Sequence, residues 1–98
     1  MLTAVWFFQN SITMDRQSIL DELKKVLAPY TANKAALDLI DEQTDMIKDL
    51  KINSANLVDI IIDAETKYDI EIDMDSAEKI SSVGSCIDVI LDKMHERG

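Results

Sequence analysis

The chain has 98 residues, 47% of them hydrophobic, with only two glycines and one proline, which suits one small helical core and argues against a second domain. Nineteen acidic residues against ten basic ones leave a formal charge of −9, which disfavours nucleic acid and anionic membrane surfaces as partners and favours basic protein surfaces. Cys86 is the lone cysteine, so neither an intrachain disulfide nor a thiolate zinc cluster is expected; it reads as a small core residue in a cytoplasmic monomer.

Residues 1–13 hold the one tryptophan and both phenylalanines. Ala4 to Phe8 form a run of five apolar residues with no Lys or Arg before it, too short and too uncharged for a secretory signal, and no stretch is long enough to span a bilayer. The segment reads as an N-terminal extension to a domain at 14–98. A dispensable extension, a tail packed on the domain and a docking element all stay open.

Over 15–28, Ile19, Leu20, Leu23, Val26 and Leu27 fall at the spacing of a helix with one buried stripe, and Pro29 should end it. Residues 30–49 read as a long connection with helical character over 33–42. Leu37, Ile40, Met46 and Ile47 are available to pin it to the core. A second main helix is predicted over 54–68, a short third over 76–80 and a fourth over 83–96, capped by Ser82. In the last of these, Val83, Cys86, Ile87, Ile90 and Met94 make the inward stripe. Ile70 and Ile72 alternate with acids, but the run is short and reads as a pinned loop. The expected fold class is all-α: a four-helix bundle with a long first loop and a short third helix.

Ser54 is the residue that most needs explaining. Asn53 is a good N-cap type, so Ser54 is expected in the first helical turn with its hydroxyl facing solvent. Free backbone N–H groups and the positive end of the helix dipole there favour an attached phosphate. Covalent modification suits that setting better than catalysis.

At about 100° per residue, Leu57, Ile60, Ile61, Ala64 and Tyr68 share one arc of this helix, the expected core side. Ala55, Val58 and Ile62 form a second apolar arc, flanked by Asp59 and Thr66 on one side and by Glu65 and Asp69 on the other. Such a strip between carboxylates reads as a docking face; the alternative is that Val58 and Ile62 simply widen the core stripe. Seven acids, Asp59, Asp63, Glu65, Asp69, Glu71, Asp73 and Asp75, face Lys67 alone between residues 54 and 75. They would steer a basic partner, or they are a solvated acidic face. A calcium loop fails at residues 69–80: its sixth position, which needs glycine, is Met74, and its twelfth, which needs glutamate, is Ile80.

Residues 49–90, DLKINSANLVDIIIDAETKYDIEIDMDSAEKISSVGSCIDVI, resemble the acyl carrier proteins, whose hallmark is D-L-G-x-D-S-L before an acidic helix. Tyr68 to Ile72, then Ala77 to Ile80, Val83 and the block 87–90 resemble the family's later positions. The resemblance implies a four-helix carrier bundle of lipid metabolism. It also implies a 4′-phosphopantetheine arm on Ser54 whose thiol holds an acyl or related carboxylic group as a thioester. The implied partners are a phosphopantetheinyl transferase and acyl-transferring or acyl-modifying enzymes with basic docking patches. They would meet Ala55, Val58, Asp59, Ile62, Asp63, Glu65 and Asp69 on the second helix.

Several positions depart from that pattern. Asn53 replaces aspartate, Ala55 leucine, Asn56 an often acidic residue and Lys51 glycine, while Ala64 stands where a larger core residue is usual. Asn53 repels a phosphodiester less but removes a carboxylate that a transferase would use. Ala64 leaves room for a cargo chain unless Tyr68 or a neighbour fills it. These departures point to a specialised carrier rather than the housekeeping one of fatty acid biosynthesis.

Two other classes compete. An unmodified carrier-like adaptor would use the acidic helix only to bind a protein. A serine hydrolase would need a base and an oxyanion site, yet His95 is the only histidine, sits in a polar C-terminal segment, and no G-x-S-x-G elbow surrounds Ser54. The chain is expected not to be an enzyme.

Overall fold

A computed structural model describes residues 15–97; the extension expected at 1–13 lies outside the described residues. The fold is all-α. Its helical segments are α1 (Arg16–Leu27), α2 (Lys34–Asp38), α3 (Asn56–Tyr68), α4 (Met74–Ala77) and α5 (Val83–Arg97). No strand occurs among the described residues, only an isolated antiparallel bridge between Asp45 and Ser82. None of these helices is long and apolar enough to cross a membrane.

Four of the five helices, all but α3, start where a side chain takes up an otherwise unpaired backbone N–H. The Asp15 carboxylate accepts from the Ser18 N–H at 2.8 Å and opens α1. Asn33 Oδ1 does the same for Ala36 at 3.1 Å, so the helical character expected over 33–42 reduces to the five residues of α2. Asp73 accepts from the Ser76 N–H at 3.2 Å. That cap makes α4 begin at Met74, two residues earlier than the predicted 76–80, and residues 78–79 continue it only as a turn. Ser82 Oγ accepts from the Ser85 N–H at 3.1 Å at the head of α5, as expected.

Three carboxylates, Asp15, Asp73 and Glu42, are held below the ordinary carboxylate range. Hydrogen bonds from Ser18, Ser76 and Arg16 respectively are the main cause. A lowered value means that the ionised form is favoured in the folded state. Their contribution is therefore complete above the unfolded carboxylate range and fades as pH falls through the lowered values.

The core is built from the stripes that periodicity picks out. Ile19, Leu20, Leu23 and Leu27 of α1 meet Ile60, Ala64 and Tyr68 of α3 and Val83, Cys86, Ile87, Val89 and Ile90 of α5. Val26, Leu57, Ile61, Ile72 and Met94 are half-buried against them, and Ile70 is buried, pinning the loop after α3. Between helices, the Tyr68 hydroxyl donates to Glu22 at 2.6 Å; burial, and then this carboxylate, push the phenol pKa up.

The connection from residue 30 to residue 53 is fastened at both ends. Leu37, Ile40 and Met46 are buried as expected, but Ile47 is exposed. Asp45 accepts from the N–H groups of both Ile47 and Lys48, and the resulting tight turn sends Met46 inward and Ile47 outward. The connection then docks on the head of α5. Met46 N–H donates to the Ser81 carbonyl at 3.0 Å, Val83 N–H to that of Thr44 at 2.9 Å, and Gly84 N–H to that of Glu42 at 2.8 Å.

Arg16 clamps the same place. Its guanidinium donates from Nε and Nη2 to Glu42 and reaches Asp88 at 2.8 Å, joining α1, the connection and α5. The fit is close enough to dictate a residue: a Cβ on Gly84 would lie 2.7 Å from the Glu42 carbonyl oxygen. Gly84→Ala is therefore expected to destabilise the protein by about 2 kcal/mol, because the clash outweighs the gain in helix propensity. A lowered urea midpoint at unchanged m-value is the measurement that checks it.

Candidate functional site

Ser54 is placed by two buried anchors just upstream. Leu50 and Ile52 are 0% and 2% exposed, so the backbone between them is nailed to the core. The Leu50 carbonyl accepts from the Ala32 N–H and the buried Thr31 hydroxyl, and the Ile52 N–H donates to the Met46 carbonyl at 3.1 Å. Asp49 accepts from the Asp45 N–H at 2.8 Å and closes the turn that leads in. Residues 50 and 52 carry no signal beyond their apolar alternation, and the sequence reading missed both. Alternation with exposed Lys51 and Asn53 was the clue available.

Lys51, between the anchors, has φ 57°, in the left-handed region. This conformation explains why the carrier pattern has glycine here and makes Lys51 a strained choice.

The entry to α3 differs from expectation. Asn53 does act as a cap, but of a tight turn: its Oδ1 accepts from the Ala55 N–H at 2.9 Å, and its carbonyl accepts from the Asn56 N–H at 2.8 Å. The Leu57 N–H donates to the Ser54 carbonyl at 3.1 Å, so residues 54–55 wind with three-residue spacing and the α-helix proper starts at Asn56. Ser54 thus sits just outside the helix rather than in its first α-turn. The supply of free N–H groups shrinks accordingly. Those of Ala55, Asn56 and Leu57 are used within the turn, while no described residue accepts from that of Ser54.

The Ser54 side chain is exposed, and its hydroxyl makes no hydrogen bond with any described residue. His95 is exposed near the end of α5 and makes no such bond either. No described side chain is hydrogen-bonded to the serine as the general base of a hydrolase would be. Cys86, 2% exposed, has its thiol pushed up to about 12 by burial, so it is no competing nucleophile. No group of three or more His, Cys, Asp or Glu side chains arranged to hold a metal ion occurs among the described residues.

Along α3, Ile60, Ala64 and Tyr68 are buried and Leu57 and Ile61 half-buried, while Val58 is 60% and Ile62 51% exposed. The reading in which Val58 and Ile62 widen the core stripe is thereby set aside. Ala55, Asp59, Asp63, Thr66 and Asp69 are exposed on the same outer face. Acids of this helix also have internal partners. Asp63 accepts from the Tyr30 hydroxyl at 2.9 Å, and half-buried Glu65 accepts from the Ile72 N–H at 2.8 Å, tying the following loop to the helix. A groove between the ends of α3 and α5, lined by Asp69, Ile70, Glu71, Lys93 and Glu96, lies at the opposite end of α3 from Ser54. Ala64 is 1% exposed within the core cluster.

No family model matches the chain. Among curated proteins, it is 31% identical over 77 residues to an acyl carrier protein of Picosynechococcus, covering 79% of this chain and 93% of that one. It is 33% identical over 84 residues to one of Lactobacillus acidophilus, covering 85% and 99%. With one of Thermotoga maritima the identity is 30% over 81 residues, covering 81% and 95%. The chain belongs to the acyl carrier protein family. Proteins of this family carry acyl groups as thioesters on 4′-phosphopantetheine, and they work with a phosphopantetheinyl transferase and with acyl-handling enzymes.

Replacing Lys51 by glycine relieves the left-handed backbone. Lys51→Gly is expected to raise stability by about 1 kcal/mol and the Tm by roughly 5 °C, read by thermal melting followed by circular dichroism.

Proposed function

We propose that Ser54 Oγ is the attachment point of the 4′-phosphopantetheine arm, on which this chain holds an acyl or related carboxylic group and presents it to partner enzymes. The observation that carries this reading is the Ser54 hydroxyl: exposed, hydrogen-bonded to no described residue, and held on a backbone fixed by Leu50 and Ile52. The arm supplies a thiol on a flexible tether. Everything else asked of the chain is positioning. The residues around Ser54 fit such a group, since exposed Asn53, Ala55 and Lys51 leave the hydroxyl open to a transferase and no carboxylate lies between residues 50 and 58.

The arrangement fits a carrier bundle of four helices, α1, α3, α4 and α5, in which the long first loop contains the extra turn α2. The domain spans 14–98 and acts as a monomer in the cytoplasm, without catalytic chemistry of its own. The docking face comprises Ala55, Val58, Asp59, Ile62, Asp63, Glu65 and Asp69. Exposed Val58 and Ile62 between carboxylates support it, because the apolar pair offers desolvated contact while Asp59 and Asp69 attract a basic patch. Asp63 and Glu65 serve the face and the fold at once through their bonds to Tyr30 and to the 72 N–H.

Intact-mass spectrometry tests the assignment. With coenzyme A and the transferase of the native host, the protein should gain about 340 Da, and Ser54→Ala should gain nothing. A chain that never gains this mass would be the unmodified adaptor instead. The face has its own test, best made at Asp59, which has no structural hydrogen bond, rather than at Glu65. Combining Asp59→Lys with Ile62→Ala should slow loading roughly tenfold at low salt while the helical spectrum stays unchanged. Equal loading rates would count against the face.

A further inference from the structure

We infer that Lys51 is the counter-charge of the phosphodiester carried by Ser54, holding the root of the arm against the entry turn; this rests on Ser54 being the attachment point. Four observations meet here. First, the backbone donors that a helix mouth would offer an anion are mostly consumed, since the Ala55, Asn56 and Leu57 N–H groups bond to Asn53 and Ser54. The Ser54 N–H and the residual helix dipole are left to meet a full negative charge. Second, Lys51 is the only charged side chain between Leu50 and Val58, and the carboxylate just before this segment, Asp49, is engaged by the Asp45 N–H.

Third, Lys51 is exposed and makes no hydrogen bond or ion pair with any described residue. Arg16 and Lys93, by contrast, are engaged in ion pairs with carboxylates. Fourth, Lys51 occupies a left-handed backbone position that glycine would fill without strain. A lysine where its backbone is disfavoured calls for a role, and the chain keeps it close to Ser54. Three peptide units separate it from Ser54, at most about 11 Å between Cα atoms when fully extended. The turn at 51 and the Asn53 cap shorten that span, and a flexible four-carbon stem covers the remainder.

The charge pattern of the segment makes the same point. Neutral Asn53 and cationic Lys51, where the carrier pattern has aspartate and glycine, shift the surroundings of Ser54 by two charge units in the direction that favours a bound anion. Such a pair is solvent-exposed and should respond to salt.

The experiment compares apo-protein with protein whose loading on Ser54 has been verified by intact mass. Lysines are labelled with a limiting amine-reactive ester, and each site is quantified by peptide mapping. Lys51 should label about threefold more slowly in the loaded protein at low salt, with the difference lost near 1 M salt, while Lys67 labels equally in both forms. The 31P resonance of the loaded protein should move in Lys51→Gln, stay near the wild-type position in Lys51→Arg and be unaffected by Lys67→Gln. Unchanged Lys51 labelling together with an unmoved 31P resonance in Lys51→Gln, on protein that does carry the arm, overturns the role of Lys51 alone. Failure to gain the mass at all overturns the attachment itself.

Discussion

The docking of the 42–46 backbone on the first turn of α5 is the constraint on which the rest of this small protein depends. A helix N-terminus leaves backbone N–H groups without intrahelical partners, and here the connection supplies carbonyls to two of them, at Val83 and Gly84. The same segment sends its Glu42 side chain to Arg16, so one stretch of irregular chain ties α5 to the start of α1. Its contact with Gly84 leaves no room for even a methyl group. Because Met46, Leu50 and Ile52 follow directly and are all buried, the course of the backbone toward Ser54 is set by a helix that begins thirty residues later. The placement of Ser54 therefore depends on packing between segments that are distant in sequence.

The acidic character of the chain divides into two populations with different work. Asp15, Asp73, Asp45 and Asp49 accept backbone N–H bonds that start helices or close turns. Glu22, Glu42 and Glu65 fasten one element to another. What is left as an external field on α3 is narrower than the formal charge implies, with Asp59 its clearest member. Charge that holds the fold and charge that is left facing solvent are thus interleaved on one helix. Asp63 belongs to both, facing solvent while it accepts from Tyr30.

Family membership and local departure coexist without contradiction. A glycine-type backbone is kept at residue 51 although the residue is lysine, which shows that the loop shape is imposed by its neighbours: Leu50 and Ile52 point into the core and leave the intervening peptide one way to turn. Asn53 preserves the capping geometry of an aspartate while dropping its charge. Lys51 and Asn53 thus depart from the carrier pattern in charge, each on the backbone described above. Ala64, buried among its core neighbours, is a change of volume in the core rather than of surface chemistry.

The amino-acid sequence by itself determined the helical class, the buried stripes of α1, α3 and α5 and the loop at 70–72. These rest on periodicity and capping residues, each legible within a few turns of chain. Tertiary structure alone decided that Ile47 faces water while Leu50 and Ile52 do not, that Val58 and Ile62 stay uncovered, and that Gly84 admits no side chain. It also decided that Glu65 anchors a loop and that the entry to α3 spends its own N–H groups. All of these depend on which distant segment arrives at a given face, and a carbonyl from residue 42 meeting an amide at 84 leaves no trace in the residues beside either.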